Sequence, residues 1–226
     1  MHNQKSILCF GDSLTWGWIP VKEGSPTLRY PYRQRWTGVM ADELGDGYQV
    51  IEEGLSARTT SADDPNDPRL NGSAYLPAAL ASHLPLDLVI LMLGTNDTKP
   101  YFNRGPYDIA FGMSKLVGQV LTVSGGVGTP YPAPKCLVIA PPPLAPIPHP
   151  FFQGMFGGGH EKTNELAKQY RSMADFMKVG FLNAGDVITT DGVDGIHFTV
   201  ENNQTLGRAI AAKVKDMLVR DQAAAA

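Results

Sequence analysis

Apolar positions along this chain fall into two alternating patterns. Short, nearly continuous apolar runs occupy residues 6–10, 48–53, 87–93, 135–140 and 180–184. Continuous rather than alternating hydrophobicity is the mark of parallel strands covered on both faces. Between them lie stretches of helical period at 34–44, 73–83, 107–123, 161–177 and 199–218. In the last of these Leu206, Ile210, Val214 and Leu218 form one stripe, leaving Arg208 and Lys215 to face water. Strand–helix alternation of this kind predicts an α/β protein, a three-layer α/β/α sandwich around a five-stranded parallel sheet. We take the strands in flavodoxin-like order, although the pattern itself does not contain strand order. In such sheets ligands bind beyond the carboxyl ends of the strands.

Three connections are long, at 17–31, 59–71 and 141–159, and long connections in a compact domain often build binding sites. No repeat or polar linker divides the chain, so residues 1–222 read as one domain. The alanines at 223–226 read as a frayed tail.

Composition narrows the function. The 226 residues carry 19 Lys+Arg against 22 Asp+Glu, a net charge of −3, with 43% apolar and 18% charged residues. That balance excludes a disordered chain and offers no basic field for nucleic acid. No apolar run approaches the roughly 18–20 residues of a membrane-spanning helix. The amino terminus runs directly into the first strand pattern, so no secretory signal is expected. Cys9 and Cys136 each sit inside an apolar strand run and read as buried structural thiols, which fits a cytoplasmic setting. The five histidines show no metal-ligand spacing, and no Gly-rich phosphate loop follows the first strand. No metal or cofactor is implied.

Four short motifs stand at strand ends or before the last helix. Gly11-Asp12-Ser13-Leu14 follows the first strand, where a serine either caps a turn or presents its hydroxyl beside a helix N-terminus. Gly54-Leu55-Ser56-Ala57-Arg58 follows the second, and there a backbone N–H could serve an oxyanion. Gly94-Thr95-Asn96-Asp97 ends the third; its asparagine either stabilises a turn or donates to an oxyanion. Asp194-Gly195-Ile196-His197 precedes the last helix. An Asp three residues before a His either caps the chain or holds one ring nitrogen while the other accepts a serine proton.

Together these blocks resemble the SGNH, or GDSL, hydrolase family, over nearly the whole chain. Within it, the stretches 11–18, 52–60, 67–72, 84–98, 141–150 and 190–198 closely resemble the mycobacterial arylesterase/acyltransferase branch and its rhizobial relatives. The resemblance implies the SGNH hydrolase fold, with Ser13 as nucleophile, His197 as general base and acid, and Asp194 as the orienting carboxylate. It further implies an oxyanion hole from the Ser13 N–H, the Asn96 amide and a third donor. Many members carry glycine where Ala57 stands; an alanine with ordinary backbone angles would keep the donor and narrow the pocket, and Gly54 is the second choice. Trp16, Trp18, Lys99, Phe152, Phe156, Phe176 and Ile196 are candidate pocket walls, although Lys99 reads first as a solvated surface lysine. The expected activity is an esterase/acyltransferase that passes short acyl groups to water, alcohols or peroxide. The rival readings are a carbohydrate deacetylase with the same triad and a non-enzymatic binding protein. Apolar, proline-rich loops left exposed would imply a homo-oligomer, an octamer by resemblance.

Overall fold

The computed structural model describes residues 4–190 and 192–224. Its frame is five parallel strands: β1 (Lys5–Gly11), β2 (Tyr48–Gly54), β3 (Leu88–Met92), β4 (Lys135–Ala140) and β5 (Gly180–Asn183), hydrogen-bonded in the order β2-β1-β3-β4-β5. This is the flavodoxin-like order. Each strand lies within a residue or two of its apolar run. The chain starts at β1, winds outward to β2, then crosses back past β1 to β3. The loops leaving β1 and β3 therefore diverge, opening a crevice at their carboxyl ends.

Among the described residues seven α-helices accompany the sheet: α1 (Ser13–Trp16), α2 (Trp36–Leu44), α3 (Gly72–His83), α4 (Pro106–Thr122), α5 (Pro150–Met155), α6 (Gly159–Met177) and α7 (Val200–Ala224). On one sheet face Trp36 and Met40 of α2 and Leu206, Ile210 and Val214 of α7 bury Ile7, Cys9, Leu88, Ile90 and Met92. On the other, α3, α4 and α6 bring Leu76, Met113, Leu116 and Leu166 against Leu8, Phe10, Val89, Leu91 and Val138. Successive residues of β1 and β3 thus enter opposite cores, which is why these runs read as continuous rather than alternating. β2 is an edge strand and is only partly covered.

Two short helices were not expected. α1 is a single turn, too short for any periodicity. α5 lies within the proline-rich 141–159 connection, but Pro150 occupies its first position, where a missing N–H costs nothing. That connection also departs from the expected exposed loop: Leu144 and Phe156 bury with Ile196, and Ile147 and Met155 pack on them. Phe151 remains exposed. α7 continues through Ala224, into the segment expected as a tail; residues 225–226 lie outside the described residues. Among the described residues no helix is long and apolar enough to cross a membrane.

Candidate active site

The crevice is built from the turns that leave β1, β2 and β3 and from the loop before α7. β1 passes into α1 through Gly11, where a Cβ would stand 2.1 Å from Thr15 Oγ1 and 2.9 Å from the Met92 carbonyl, so only glycine allows so tight a turn. Asp12 caps α1 by accepting the Leu14 N–H at 2.9 Å. Ser13 is then the first helical residue, its side chain facing the crevice.

Before α7, Gly195 adopts a φ of +74°, and a Cβ there would lie 2.5 Å from the Pro146 carbonyl. The Gly195 carbonyl accepts the Ala145 N–H at 3.0 Å, tying this loop to the 141–159 connection. The turn lets Asp194 fold back on its own chain. Its Oδ1 accepts the N–H groups of Ile196 and His197, each at 2.9 Å, while Oδ2 accepts from His197 Nδ1 at 2.7 Å. With Nδ1 protonated, Nε2 is left as acceptor, and it lies 2.9 Å from Ser13 Oγ. All three residues are buried. Burial opposes ionisation of Asp194, but the hydrogen bonds from His197 and Ile196 outweigh it and hold its pKa below the ordinary value. The Trp18 indole stacks on the His197 ring, centroids 5.0 Å apart and planes 17° off parallel.

Three candidate oxyanion donors belong to residues that line the same cavity as Ser13, Asp194 and His197. Among the described residues, the backbone N–H groups of Ser13 and Ala57 have no acceptor. Asn96 Nδ2 donates to Asp12 Oδ2 and to the Arg58 carbonyl, both at 3.2 Å, the long end of the normal range. The supporting residues are buried. Arg58 Nη1 donates to the carbonyls of Gly11 (2.9 Å) and Glu53, and its guanidinium lies 4.1 Å from the Phe10 ring centre. Desolvation lowers its pKa to about 10. Asp12 is fully enclosed, and burial raises its carboxyl to about 7, the Leu14 N–H opposing. Beneath Asn96, Asp97 binds the N–H and hydroxyl of Thr60 and the Arg104 guanidinium. Sequence reasoning had missed these supports, although Asp12 and Arg58 stand inside the motifs that it quoted.

One expectation fails on backbone geometry. Ala57 does not have ordinary angles: its φ is +69°, in the left-handed region that favours glycine. The N–H still points free, and the methyl lines the cavity. Gly54, the second choice, lies outside it, packed against the backbone of Thr15 and Trp16.

The cavity is small, about 130 Å³, and mostly apolar. Ser13, Ala57, Asn96, Asp194 and His197 line one side, with Trp18, Lys99, Ile147, Phe152, Met155, Phe156 and Ile196 around them. Trp18, Lys99, Phe152, Phe156 and Ile196 thus line this cavity, and Lys99 is buried rather than a solvated surface lysine. Trp16 is not part of the lining: it sits behind Trp18 under the Arg29 guanidinium. Phe176 is also misplaced by the expectation. It is 85% exposed on α6, beside Tyr107 and Phe111 in a separate groove, because its helical stripe faces away from the sheet. Cys9 and Cys136 are buried free thiols whose pKa burial pushes up. Among the described residues no cluster of three or more His, Cys, Asp or Glu is placed to hold a metal.

Comparison with known proteins gives this geometry a lineage. The GDSL-like Lipase/Acylhydrolase family model matches residues 9–204. Est24, a carbohydrate acetylesterase from Sinorhizobium meliloti, is 74% identical over 95% of this chain and 100% of its own, with a TM-score of 0.94. The aryl esterase of M. smegmatis is 67% identical over 94% of this chain and 99% of its own, with a TM-score of 0.93. An acetylxylan esterase from Xylanibacter ruminicola is 28% identical over 92% of this chain, which spans only 43% of that protein's length. The strand-end motifs, the order of the sheet and these likenesses converge: the chain belongs to the GDSL-like lipase/acylhydrolase family.

Proposed function

We propose that residues 4–222 act as one serine hydrolase domain that cleaves short-chain carboxylic esters through an acyl-serine. The observation that carries this reading is the unbroken chain Asp194–His197–Ser13, at 2.7 and 2.9 Å, opening on a small apolar cavity. His197 Nε2 takes the hydroxyl proton as Ser13 Oγ attacks the ester carbonyl. Asp194 fixes the tautomer and stabilises the imidazolium. The oxyanion is held by the N–H groups of Ser13 and Ala57 and by Asn96 Nδ2, which gives up one of its long hydrogen bonds to do so. His197 then protonates the leaving alcohol and deprotonates the acceptor that releases the acyl group.

Water, an alcohol or hydrogen peroxide can each serve as that acceptor, and the apolar walls favour alcohol over water. Product partitioning with one acetyl donor in water containing a primary alcohol tests this. Ester formation well above the alcohol's mole fraction supports acyl transfer; hydrolysis alone limits the protein to an esterase. The acetylesterase relatives favour a second substrate reading, acetylated carbohydrate, with the same triad.

The exposed Tyr107, Phe111 and Phe176 of α4 and α6 support a homo-oligomer, an octamer by resemblance. A monomer by light scattering would overturn this. The two free buried thiols support a cytoplasmic setting.

A further inference from the structure

Lys99 is out of place by the rules that govern the rest of the cavity. It is only 5% exposed and lines the cavity, and among the described residues no hydrogen bond or ion pair holds its Nζ, which is not one of the fully enclosed unpaired polar atoms and therefore opens on the cavity. Its one directional contact is with the Phe156 ring, whose centre lies 5.4 Å away. Three carboxylates act on it from a distance, but each is already engaged. Asp64 accepts the Tyr101 hydroxyl and the Asn66 N–H, Asp97 binds Thr60 and Arg104, and Asp12 binds Leu14 and Asn96. An ammonium whose stem is buried and whose donors open on a small apolar cavity, with no protein acceptor, is placed to meet an oxygen that a ligand brings. The side chains of Ile147, Phe152, Met155, Phe156 and Ile196, which line the same cavity, carry no oxygen.

We infer that Lys99 is a specificity-determining residue that binds a second oxygen of the substrate, a hydroxyl or ether in the alcohol portion of the ester. The inference rests on the ester-hydrolase reading above. The scissile carbonyl oxygen belongs to the Ser13, Ala57 and Asn96 donors. A short acyl group such as acetyl carries no further oxygen. Only the alcohol portion can therefore supply an acceptor to Lys99. The substrate class is an ester whose alcohol portion carries a further oxygen, as a partly acylated diol or polyol does, and the same contact selects such an alcohol as acyl acceptor. The ammonium also disfavours alcohols that carry a positive charge.

The test compares two isosteric ester pairs in the wild type and in Lys99→Met, which keeps the apolar stem and removes the charge. The first pair is 2-hydroxyethyl acetate and propyl acetate; the second is acetylcholine and its carbon analogue 3,3-dimethylbutyl acetate. A hydrogen bond from an ammonium predicts that the wild type's kcat/KM preference for the hydroxyl member falls about 10- to 100-fold in the variant. Its discrimination against acetylcholine should fall too, and Lys99→Gln, a neutral donor, should recover part of the hydroxyl preference. Active-site titration with an organophosphonate normalises for folded enzyme. Unchanged ratios in both pairs would overturn the inference. An equal fall for all four esters would also overturn it, placing Lys99 in oxyanion stabilisation or in the fold. Wild type inactive on every ester, including p-nitrophenyl acetate, would instead remove the ester-hydrolase reading and this inference with it.

Discussion

Ala57→Gly isolates a conflict between local conformation and catalysis. The residue proposed to give its N–H to the oxyanion, Ala57, adopts a φ of +69°. For an L-residue that conformation costs about 1–2 kcal/mol. Replacing alanine by glycine removes that strain but adds unfolded-state freedom worth about 0.4–1 kcal/mol. The half-buried methyl contributes little packing. The net expectation is a gain of about 0.5–1 kcal/mol, which for a chain of this size raises Tm by about 1–4 °C. The methyl also lines the cavity, so its loss should favour longer acyl groups. Thermal unfolding by calorimetry, together with the p-nitrophenyl butyrate to acetate ratio of kcat/KM, reads both effects. A Tm lowered by more than a degree would show that Ala57 carries no strain. An unchanged butyrate ratio would show that its methyl does not bound the acyl site.

Other perturbations separate the parts of the site. Asp194→Asn presents an amide to His197 Nδ1 and stabilises the wrong tautomer, so kcat for p-nitrophenyl acetate should fall by up to about 10⁴ with little change in KM; a loss under tenfold would argue against the orienting role. Trp18→Leu removes the ring stacked on His197, and with it the stabilisation of an imidazolium, so kcat should fall about 3- to 30-fold, more than KM rises. Asp12 supplies a pH signature. Its folded pKa of about 7 lies above its ordinary 3.8, so the native state keeps a proton that the unfolded chain releases. Stability is therefore lost as pH rises from about 4 to about 7, and Asp12→Asn should abolish that component. Tm measured across this window should show the variant gaining on the wild type as pH increases; parallel curves would contradict the assigned burial.

Much of this architecture was legible in the sequence because both-sided burial leaves an unmistakable signal. β1, β3 and β4 are covered by helices on each face, and their runs of apolar residues have no other economical reading. The candidates Ser13, Asp194 and His197 were legible for a different reason. Within each motif the geometry is held by residues two or three apart, Asp12 to Leu14 and Asp194 to Ile196 and His197, whereas the contact between Ser13 and His197 joins residues 184 apart. What depended on distant packing was not legible. Phe176 is an aromatic on a helix like any other until α6 docks and turns it outward. The left-handed angle of Ala57 is set by the turn between β2 and the buried Arg58, not by alanine's own preference. The enclosure of Lys99 comes from Phe156, a residue 57 positions away whose loop folds inward instead of outward.

The central claim is that Ser13 is the nucleophile activated by His197, and covalent trapping tests it most directly. The protein is treated with an aryl organophosphonate ester, and the adduct is located by intact-mass and peptide mass spectrometry. The account predicts one adduct per chain, on Ser13, with stoichiometric loss of p-nitrophenyl acetate turnover. It also predicts neither labelling nor turnover in Ser13→Ala. An adduct on another residue, or turnover retained by folded Ser13→Ala, would contradict it.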